Sequence, residues 1–364
     1  MKTLVFVGAH DLMVPYINNL ACTHQVCVYD SGVFTVQLSP EVVVRKLPKK
    51  FFGIQMFLTG ERSLPWYMSH IQSSLKNDNP DDIIVLDFIR LWYLQVLWYR
   101  LKNRSVRIHL YSESQRIPPS LFSAASFILF WLVLFCTQKL LTAYFAFTDR
   151  GIKFAQKIGI RVPIILLPAP IDTQLFYPNE TKEFLKDGIL RIIINARYVK
   201  YKRHQDLLKA LVIVKASGVP FILTCIGRGG DRSVIEREVE ALGLSKEVFF
   251  LEPVPRDKLV FVYQKHDVLV LPSDNEAIGM VAPEAMACGL VTITSDTVGA
   301  NVYVVPNETG VIIKTGDIQS LANSLMCLTP VSCKRMSIAA RMRIMEFSTE
   351  EFTKKMYNTI VTNI

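Results

Sequence analysis

Two glutamates eight residues apart, Glu276 and Glu284, lie in the stretch of this sequence that is best suited to chemistry. The segment 267–296 contains an apolar run, a polar loop, a short helical stretch and a second apolar run. Pro283 near the first helical position and Gly289 past the last are the residues that usually begin and end a helix. Glu276 therefore falls in the loop, where it can face a ligand, and Glu284 falls in the first helical turn, where it can accept hydrogen bonds from hydroxyl groups.

The loop at 276–282 also has the features of an anion site. It follows a strand and precedes a helix, so free backbone N–H groups and the helix dipole are directed towards it. Gly279 allows the backbone to approach a ligand closely. The alternative interpretation is structural: a solvated loop acid followed by an acid that the helix dipole favours.

A pair of cations, Arg197 and Lys202, follows another apolar run that ends at Ala196. Arginine can bind two phosphate oxygens at once and lysine acts as a point charge, so the pair suits a diphosphate. Lys200 and Arg203 add positive charge to the same turn. Ordinary basic loop residues would give the same composition, and this alternative stays open.

Further candidates follow other predicted strands. Gly227 begins a glycine-rich turn that lacks the full spacing of a dinucleotide-binding motif. In the first half, Gly8 ends the first strand, and Glu113 and Arg116 follow the strand at 106–111. These three residues are expected either to line the N-terminal side of a cleft or to be a turn glycine and a surface pair.

Apolar runs alternate with helical stretches along the chain, which predicts α/β architecture with parallel sheets. The proline-containing segment 166–179 interrupts the pattern and is interpreted as a linker. The sequence therefore predicts two Rossmann-like domains facing across a cleft, at 1–172 and 173–347, and a C-terminal helix in 348–364 that returns to the first domain. Ligands of such sheets bind beyond the C-terminal ends of the strands. In the second domain, helices are expected at about 204–216, 231–242, 256–265, 283–288 and 317–328.

The net charge of +9 is unevenly distributed. Residues 1–172 hold 18 Lys and Arg against 11 Asp and Glu, whereas the remainder is nearly neutral. A basic first half suggests an anionic partner such as a phosphate-bearing acceptor or an acidic lipid, although a solvated surface fits equally well. Basic residues are not interleaved with aromatic ones and no nucleic-acid module is recognisable, so no nucleic-acid partner is expected.

The seven cysteines form no CxxC pair, and most lie in apolar runs. This pattern favours buried thiols in a reducing compartment, and it indicates neither a disulfide framework nor a zinc site. The N-terminal apolar run stops at Gly8, too early for a signal peptide. We therefore expect a cytoplasmic protein, with peripheral attachment to the inner face of the cell membrane as an option.

That option depends on an apolar stretch at 121–136, which is bounded by Arg116 and Lys139. It is shorter than the roughly 20 residues that a spanning helix needs. A span would also put the strands that flank it on opposite sides of a bilayer. A buried crossover helix and a helix with one face on a membrane are the two interpretations kept, the second supported by the basic run at 45–50.

The second half of the chain resembles the family 4 (group 1) glycosyltransferases, which are retaining enzymes of the GT-B fold. Residues 272–289 are similar to the paired-glutamate motif of that family, and Arg197 and Lys202 match its diphosphate-binding pair at the same spacing. The resemblance covers about 160–330 well and the first half only in outline. The chain departs from the family in having Arg203 where a glycine is usual.

The resemblance implies a hexosyltransferase-like enzyme that moves a sugar from a UDP- or GDP-linked donor with retention of configuration. Glu276 would contact the transferred sugar and Glu284 the ribose, while Arg197 and Lys202 would stabilise the leaving diphosphate. No metal or other cofactor is implied. The donor contacts would also include Gly227, which ends the strand predicted at 221–227. The residues at the helix start would add Gly279, Met280, Val281 and Ala282.

The resemblance further suggests a glycan or glycolipid acceptor, namely a lipid-linked glycan in surface polysaccharide or lipopolysaccharide assembly. Two other classes of protein remain as alternatives. A nicotinamide oxidoreductase would share the α/β fold, but the loop at 8–13 lacks its glycine pattern. A non-catalytic membrane- or glycan-binding protein on the same fold would bind acidic vesicles without transferring sugar.

Overall fold

The chain folds into two compact units, which are described separately. The N-terminal unit comprises Met1–Pro170 and Thr349–Ile364, and the C-terminal unit comprises Ile171–Ser348. The structure is a computed structural model. It describes residues 2–9, 13–30, 38–47, 49–50, 67–86, 88, 91–113 and 121–361.

The N-terminal unit is built on a seven-stranded parallel sheet. Its central strands are almost fully buried, as expected for a parallel sheet with both faces covered by helices. The strands in chain order are β1 (Thr3–Val7), β2 (Gln25–Asp30), β3 (Val43–Lys46), β4 (Lys49–Lys50), β5 (Tyr67–Met68), β6 (Asp82–Leu86), β7 (Arg107–Ser112), β8 (Ala143–Ala146) and β9 (Ile164–Leu166). The sheet order is β3-β2-β1-β6-β7-β8-β9, and β4 and β5 form a separate antiparallel pair.

The crossover connections of this unit carry the helices. The helices are α1 (Val14–Ala21), α2 (Ile71–Asp78), α3 (Leu91–Lys102), α4 (Leu121–Thr137) and α5 (Asp149–Lys157). The first residue of the basic run at 45–50 has an internal partner in the structure. The Arg45 guanidinium is bound to the buried Asp78 carboxylate, with Nε 2.6 Å from Oδ2. Arg45 is therefore occupied by an internal acid.

The C-terminal unit contains a six-stranded parallel sheet with the order β12-β11-β10-β13-β14-β15. Its strands are β10 (Leu190–Asn195), β11 (Phe221–Ile226), β12 (Val248–Leu251), β13 (Val268–Leu271), β14 (Val291–Ser295) and β15 (Val311–Ile313). This is the doubly wound order, in which the chain reverses direction across the sheet between β10 and β13. The helices are α6 (His204–Ala216), α7 (Arg232–Ala241), α8 (Arg256–Gln264), α9 (Val281–Ala287), α10 (Ile318–Met326) and α11 (Pro330–Met345). The prediction of two Rossmann-like α/β domains is confirmed.

The last helix, α12 (Thr349–Val361), packs on α1 of the N-terminal unit. The ring of Phe352 lies 4.7 Å from that of Tyr16, and Asn19 Nδ2 donates to Thr353 Oγ1 at 3.3 Å. Because of these contacts, α12 belongs to the N-terminal unit, although its partners on α1 are more than 300 residues earlier in the sequence.

The apolar stretch predicted at 121–136 forms α4, and its apolar side chains face in two directions. Phe127, Phe130 and Leu134 are buried in the core of the N-terminal unit. The opposite face leaves Ile128, Leu129, Leu132 and Phe135 exposed. Within the described ranges, no helix has the length and hydropathy needed to cross a bilayer.

Two features differ from the sequence-based expectations. All seven cysteines are free thiols, but Cys22, Cys136 and Cys327 are exposed, so the expectation of buried thiols is wrong for these three. Each lies on a helix or at its end, where the side chain faces solvent although its sequence neighbours are apolar. The helix α11 was not among the predicted helices, because it is apolar on both faces and shows no single hydrophobic stripe.

A buried histidine, His266, joins two elements of the C-terminal unit immediately before β13. Its Nδ1 lies 2.7 Å from the carbonyl oxygen of Val262, and its Nε2 lies 2.8 Å from Thr224 Oγ1. Burial lowers the pKa of His266 to about 4, from 6.5. Since the pKa is depressed on folding, stability from this group is present above pH 6.5 and is lost as the pH falls towards 4.

We therefore predict that His266→Gln reduces the acid sensitivity of the protein. The wild-type free energy of unfolding should fall by about 2 kcal/mol between pH 7 and pH 5 through this histidine alone. Urea unfolding followed by circular dichroism at the two pH values measures the difference between the two proteins. An identical pH dependence in wild type and variant would contradict the assignment.

Candidate functional site

Two loops meet at the switch point of the C-terminal sheet, where β10 and β13 are neighbours in the sheet but not in sequence. The loop after β10 carries Arg197 and Lys202, and the loop after β13 carries Glu276 and Gly279. The carboxyl ends of parallel strands at such a point form a crevice that commonly binds ligands. The sequence-predicted cations and the first predicted acid are thus brought to one edge of the sheet.

The central contact of this site joins the Lys202 ammonium to the Glu276 carboxylate. Lys202 Nζ donates to Glu276 Oε2, and both side chains are largely buried, with 9% and 16% of their surface exposed. Lys202 lies in a short 3-10 turn, and Glu276 lies in the loop that follows the next strand of the sheet. A charge that is withdrawn from water requires such a partner, because an unpaired buried charge costs several kcal/mol.

Arg197 is connected to this pair through Tyr201. Its Nη2 donates to the Tyr201 hydroxyl oxygen at 2.6 Å, and the Lys202 ammonium lies 5.3 Å from the centroid of the same ring. The backbone N–H of Asp274 donates to the Tyr201 carbonyl at 2.6 Å, which ties the two loops together. Arg197 is exposed, so its guanidinium is accessible to a ligand. Tyr201 was not a predicted site residue, and no spacing rule singled it out.

Glycines allow the loops to approach one another. A Cβ at Gly227 would lie 2.0 Å from the carbonyl oxygen of Ala196, and Gly279 has the left-handed φ of +80°. Gly299, in the loop after β14, comes equally close, because its Cβ would lie 1.8 Å from the carbonyl oxygen of Ala277. Gly299 was missed in the sequence, although a glycine soon after a buried strand was the available signal.

The amides at the start of α9 are in part engaged within their own turn. The N–H of Ala282 donates to the carbonyl of Gly279 at 3.0 Å, and the N–H of Glu284 donates to that of Met280 at 3.1 Å. Val281 is the first residue of the helix. The amide of Ala282, which the resemblance assigned to the donor, is therefore occupied by a backbone carbonyl in this structure.

Glu284 has a different partner from Glu276. Its carboxylate lies 3.1 Å from Nη2 and 3.3 Å from Nε of Arg256, at the start of α8. Burial raises the pKa of Glu284, and the charge of Arg256 opposes this effect while Asp172 adds to it. The Arg256 guanidinium also lies 5.1 Å from the Phe176 ring centroid. Arg256 was not predicted from the sequence, where it stands apart from both motifs.

The positive patch around Lys202 is smaller than the sequence suggests. Arg203 adopts a left-handed φ of 54° and its Nε pairs with Asp206 Oδ2 at 2.6 Å. This conformation costs energy for a residue with a side chain, so glycine would be accommodated more easily at the position. Lys200 stays exposed.

Two of the predicted residues of the N-terminal unit, Gly8 and Glu113, follow the carboxyl ends of strands in its own sheet. Gly8 follows β1 with φ +81°, and a Cβ there would lie 2.9 Å from the Trp92 ring. Glu113 follows β7, which is separated from β1 in the sheet by β6 alone. Arg116 lies outside the described residues.

The sequence of the C-terminal unit matches the family model described as "Glycosyl transferases group 1" over residues 178–341. The matched segment spans most of the C-terminal unit. The Lys202–Glu276 contact lies inside it. This finding favours the predicted transferase over a nicotinamide oxidoreductase.

Curated relatives are similar to this chain over a limited stretch. The D-inositol 3-phosphate glycosyltransferase of Corynebacterium diphtheriae is 37% identical over 107 residues, which are 29% of this chain and 25% of that protein. The chain therefore matches about a quarter of the length of that relative.

Solved structures resemble the whole chain in fold. A glycosyltransferase from Rickettsia africae gives a TM-score of 0.75 at 15% identity, covering 100% of this chain and 99% of that one. HepE from Anabaena, solved in complex with UDP, gives 0.75 at 14% identity with 100% of both chains covered. The neighbours are glycosyltransferases of the GT-B class, in agreement with the predicted fold class.

We predict that Arg256→Ala destabilises the protein in a pH-dependent way. The change leaves the buried Glu284 carboxylate without its ion-pair partner and raises its pKa further above the ordinary 4.5. We expect a loss of about 1–3 kcal/mol at pH 8, discounted from a fully buried pair because the arginine is partly exposed. A raised pKa costs stability only as the pH rises through it, so the deficit should shrink at pH 5.

Urea unfolding of wild type, Arg256→Ala and Arg256→Lys at pH 8 and pH 5 measures this effect. The lysine variant is the control, because it keeps a positive charge near the carboxylate and should retain a larger part of the stability at pH 8. An equal loss at both pH values would assign the effect to the lost contact with Phe176 and not to the charge.

Proposed function

We propose that this protein is a retaining glycosyltransferase that moves a hexose from a nucleotide-sugar to an acceptor hydroxyl. The observation that carries the proposal is the contact between Lys202 and Glu276 at the switch point of the group 1 domain. A cation and a carboxylate at one crevice suit a donor with a phosphate end and a hydroxyl-rich end. An oxidoreductase has no need of this pair.

In the proposed reaction, the bond between the anomeric carbon and the diphosphate oxygen breaks as the acceptor oxygen bonds to the same carbon on the same face. The acceptor proton passes to the leaving diphosphate. Negative charge grows on that diphosphate, and Lys202 and Arg197 stabilise it as preorganised cations. Glu276 accepts hydrogen bonds from the transferred sugar. No metal or other cofactor is assigned a role.

Lys202 must gain a second partner for this role. In the structure its ammonium donates to Glu276, whereas a bound diphosphate offers it further oxygen acceptors. A lysine ammonium has three N–H donors, so it can bind a phosphate oxygen while keeping the carboxylate. Glu276 then has its position fixed by Lys202 on one side and by the sugar on the other.

The nucleotide is proposed to be uridine diphosphate, because the Anabaena neighbour was solved with UDP. Glu284 would accept hydrogen bonds from the ribose hydroxyls, and Arg256 would keep its carboxylate ionised at neutral pH. The turn glycines Gly227 and Gly279, with the amides of Met280 and Val281, would let the phosphates approach the backbone. GDP stays the alternative nucleotide.

We predict that Glu276→Gln abolishes most of the sugar transfer and leaves UDP affinity near that of wild type. Removing an interaction made in the transition state should lower turnover by about 10²-fold or more. Lys202→Met should instead weaken UDP binding by about tenfold, since a charge-assisted hydrogen bond contributes about 1.5–3 kcal/mol. Product mass spectrometry with a panel of nucleotide-sugars and calorimetry with UDP give the two readouts.

The matched control is Lys200→Met, which removes an exposed lysine of the same turn. It should change neither turnover nor UDP affinity more than about twofold. Unchanged turnover in Glu276→Gln would refute its role. Binding of acidic vesicles without transfer or hydrolysis of any donor would favour the non-catalytic alternative.

The acceptor is proposed to be a lipid-linked glycan at the inner face of the cell membrane. The exposed face of α4, formed by Ile128, Leu129, Leu132 and Phe135, supports contact with a lipid surface. The Arg161 guanidinium lies 5.7 Å from the Phe135 ring centroid and can meet an anionic headgroup beside the apolar face. An apolar helix face beside basic side chains is typical of interfacial binding.

We predict that the wild-type protein sediments with phosphatidylglycerol vesicles and that Leu129→Glu with Leu132→Glu weakens this partition by about tenfold or more. A charge-matched control carries Val234→Glu and Val331→Glu, two exposed valines of the C-terminal unit. The control should sediment like wild type. Equal sedimentation of both double variants would contradict membrane contact through α4.

A further inference from the structure

A cavity of about 310 Å³ lies in the C-terminal unit, at the edge of the sheet opposite the candidate donor site. One wall is formed by α11, and the others by the segment 178–184 and the turn between α9 and β14. Lys182 reaches the carbonyl of His266 just before β13, and Gly289 lies just before β14. The cavity therefore adjoins the beginnings of these strands, whereas the donor-site loops follow their ends.

The size and lining of this cavity are those of a small-molecule site. Ligand pockets typically have volumes of about 300–1,000 Å³ and apolar walls with a few convergent polar groups. The apolar wall here comes from the segment after the linker, from the end of α9 and from α11, and includes Pro178, Phe184, Cys288, Ile338 and Met342.

Three cations line the cavity, namely the exposed Lys334 and the half-buried Lys182 and Arg341. The hydrogen-bond partners found for Lys182 and Arg341 are carbonyl oxygens. The Lys182 ammonium donates to the carbonyl of His266. The Arg341 guanidinium donates from Nη1 to the carbonyls of Phe176 at 2.9 Å and Ala287 at 3.1 Å. Within the part of the chain that the structure describes, no carboxylate lies within salt-bridge range of either cation.

The surroundings leave this positive charge incompletely balanced. Burial lowers the pKa of Lys182 to about 8, although the nearby Asp267 acts in the opposite direction. Burial lowers the pKa of Arg341 as well. The other titratable or charged groups facing Lys182 or lining the cavity are Glu180, His266, Cys288, Cys333 and Lys334. Arg191 acts on the neighbouring His266 and Asp267.

We propose that this cavity binds a small anion with an apolar body, with its charged end between Lys182 and Arg341 and its apolar part along α11. Lys182 uses one of its three N–H donors on His266 and has two for the ligand. A carboxylate or phosphate would supply the missing counter-charge, whereas a neutral ligand would leave both cations as they are. The site lies apart from the donor site and does not depend on the proposed transfer reaction.

Calorimetric titration of the full-length protein with octanoate at pH 7 tests the proposal, with 1-octanol as the neutral probe of the same chain length. Octanoate should bind with one-to-one stoichiometry and about tenfold or more tighter than octanol, because charge-assisted hydrogen bonds contribute about 1.5–3 kcal/mol. Equal binding of the two probes, or no saturation by octanoate up to about 10 mM, would overturn the proposal.

Lys182→Met should weaken octanoate binding about tenfold, because it removes the charge and keeps the apolar stem of the side chain. The matched control is Lys186→Met, which removes an exposed lysine of the same unit whose side chain is 61% exposed. If Lys182→Met fails to fold, Lys334→Gln at the exposed rim should still weaken octanoate binding measurably. Wild-type affinity in every folded variant at the cavity would refute the assignment.

Two further measurements separate this site from other anion sites. Octanoate affinity should be nearly constant between about pH 6 and about pH 7 and fall roughly tenfold by about pH 9.5, as Lys182 loses its proton. Saturating UDP should leave octanoate binding unchanged. Displacement of octanoate by UDP would place the anion in the donor site and refute the separate cavity, whatever the outcome for sugar transfer.

Discussion

The contact between the Lys202 ammonium and the Glu276 carboxylate is the interaction on which the site of the C-terminal unit depends. Both groups are withdrawn from water, and each would be costly to bury alone. They come from loops that are 74 residues apart in sequence and that meet because β10 and β13 are neighbours in the sheet. The strand order of the fold therefore creates the ion pair.

This close meeting of loops requires glycine at particular positions. Gly227 and Gly299 lie so near to backbone carbonyls of adjacent loops that a Cβ would approach within about 2 Å. Gly279 takes a left-handed conformation beside Glu276. These glycines allow three loops to come together at the ends of the strands, and the side chains of the site are positioned as a consequence. Their role is first of all a packing requirement, whatever contacts a donor adds.

The two edges of the same sheet balance their cations in different ways. At the edge where the strands end, Lys202 has a carboxylate partner and Arg256 has Glu284. At the edge where the strands begin, Lys182 and Arg341 are held by carbonyl oxygens. Carbonyl dipoles satisfy hydrogen bonds but leave net charge, which is why the second edge favours an anion. One sheet thereby presents two sites that contain cations, one balanced by carboxylates and one by carbonyl oxygens.

The sequence by itself determined the strands, the two-domain architecture and the candidate roles of Glu276 and Lys202. Strand runs, turn glycines and helix starts are local signals, so the predicted helix at 204–216 agrees with α6 at both ends. The contacts that a side chain makes in the folded protein are not determined by its neighbours in the sequence. Tyr201, Arg256 and Gly299 entered the site only through the tertiary structure, because their contacts join segments that no spacing rule connects. The same holds for the Lys182 cavity, since only folding brings α11 against the residues that follow the linker.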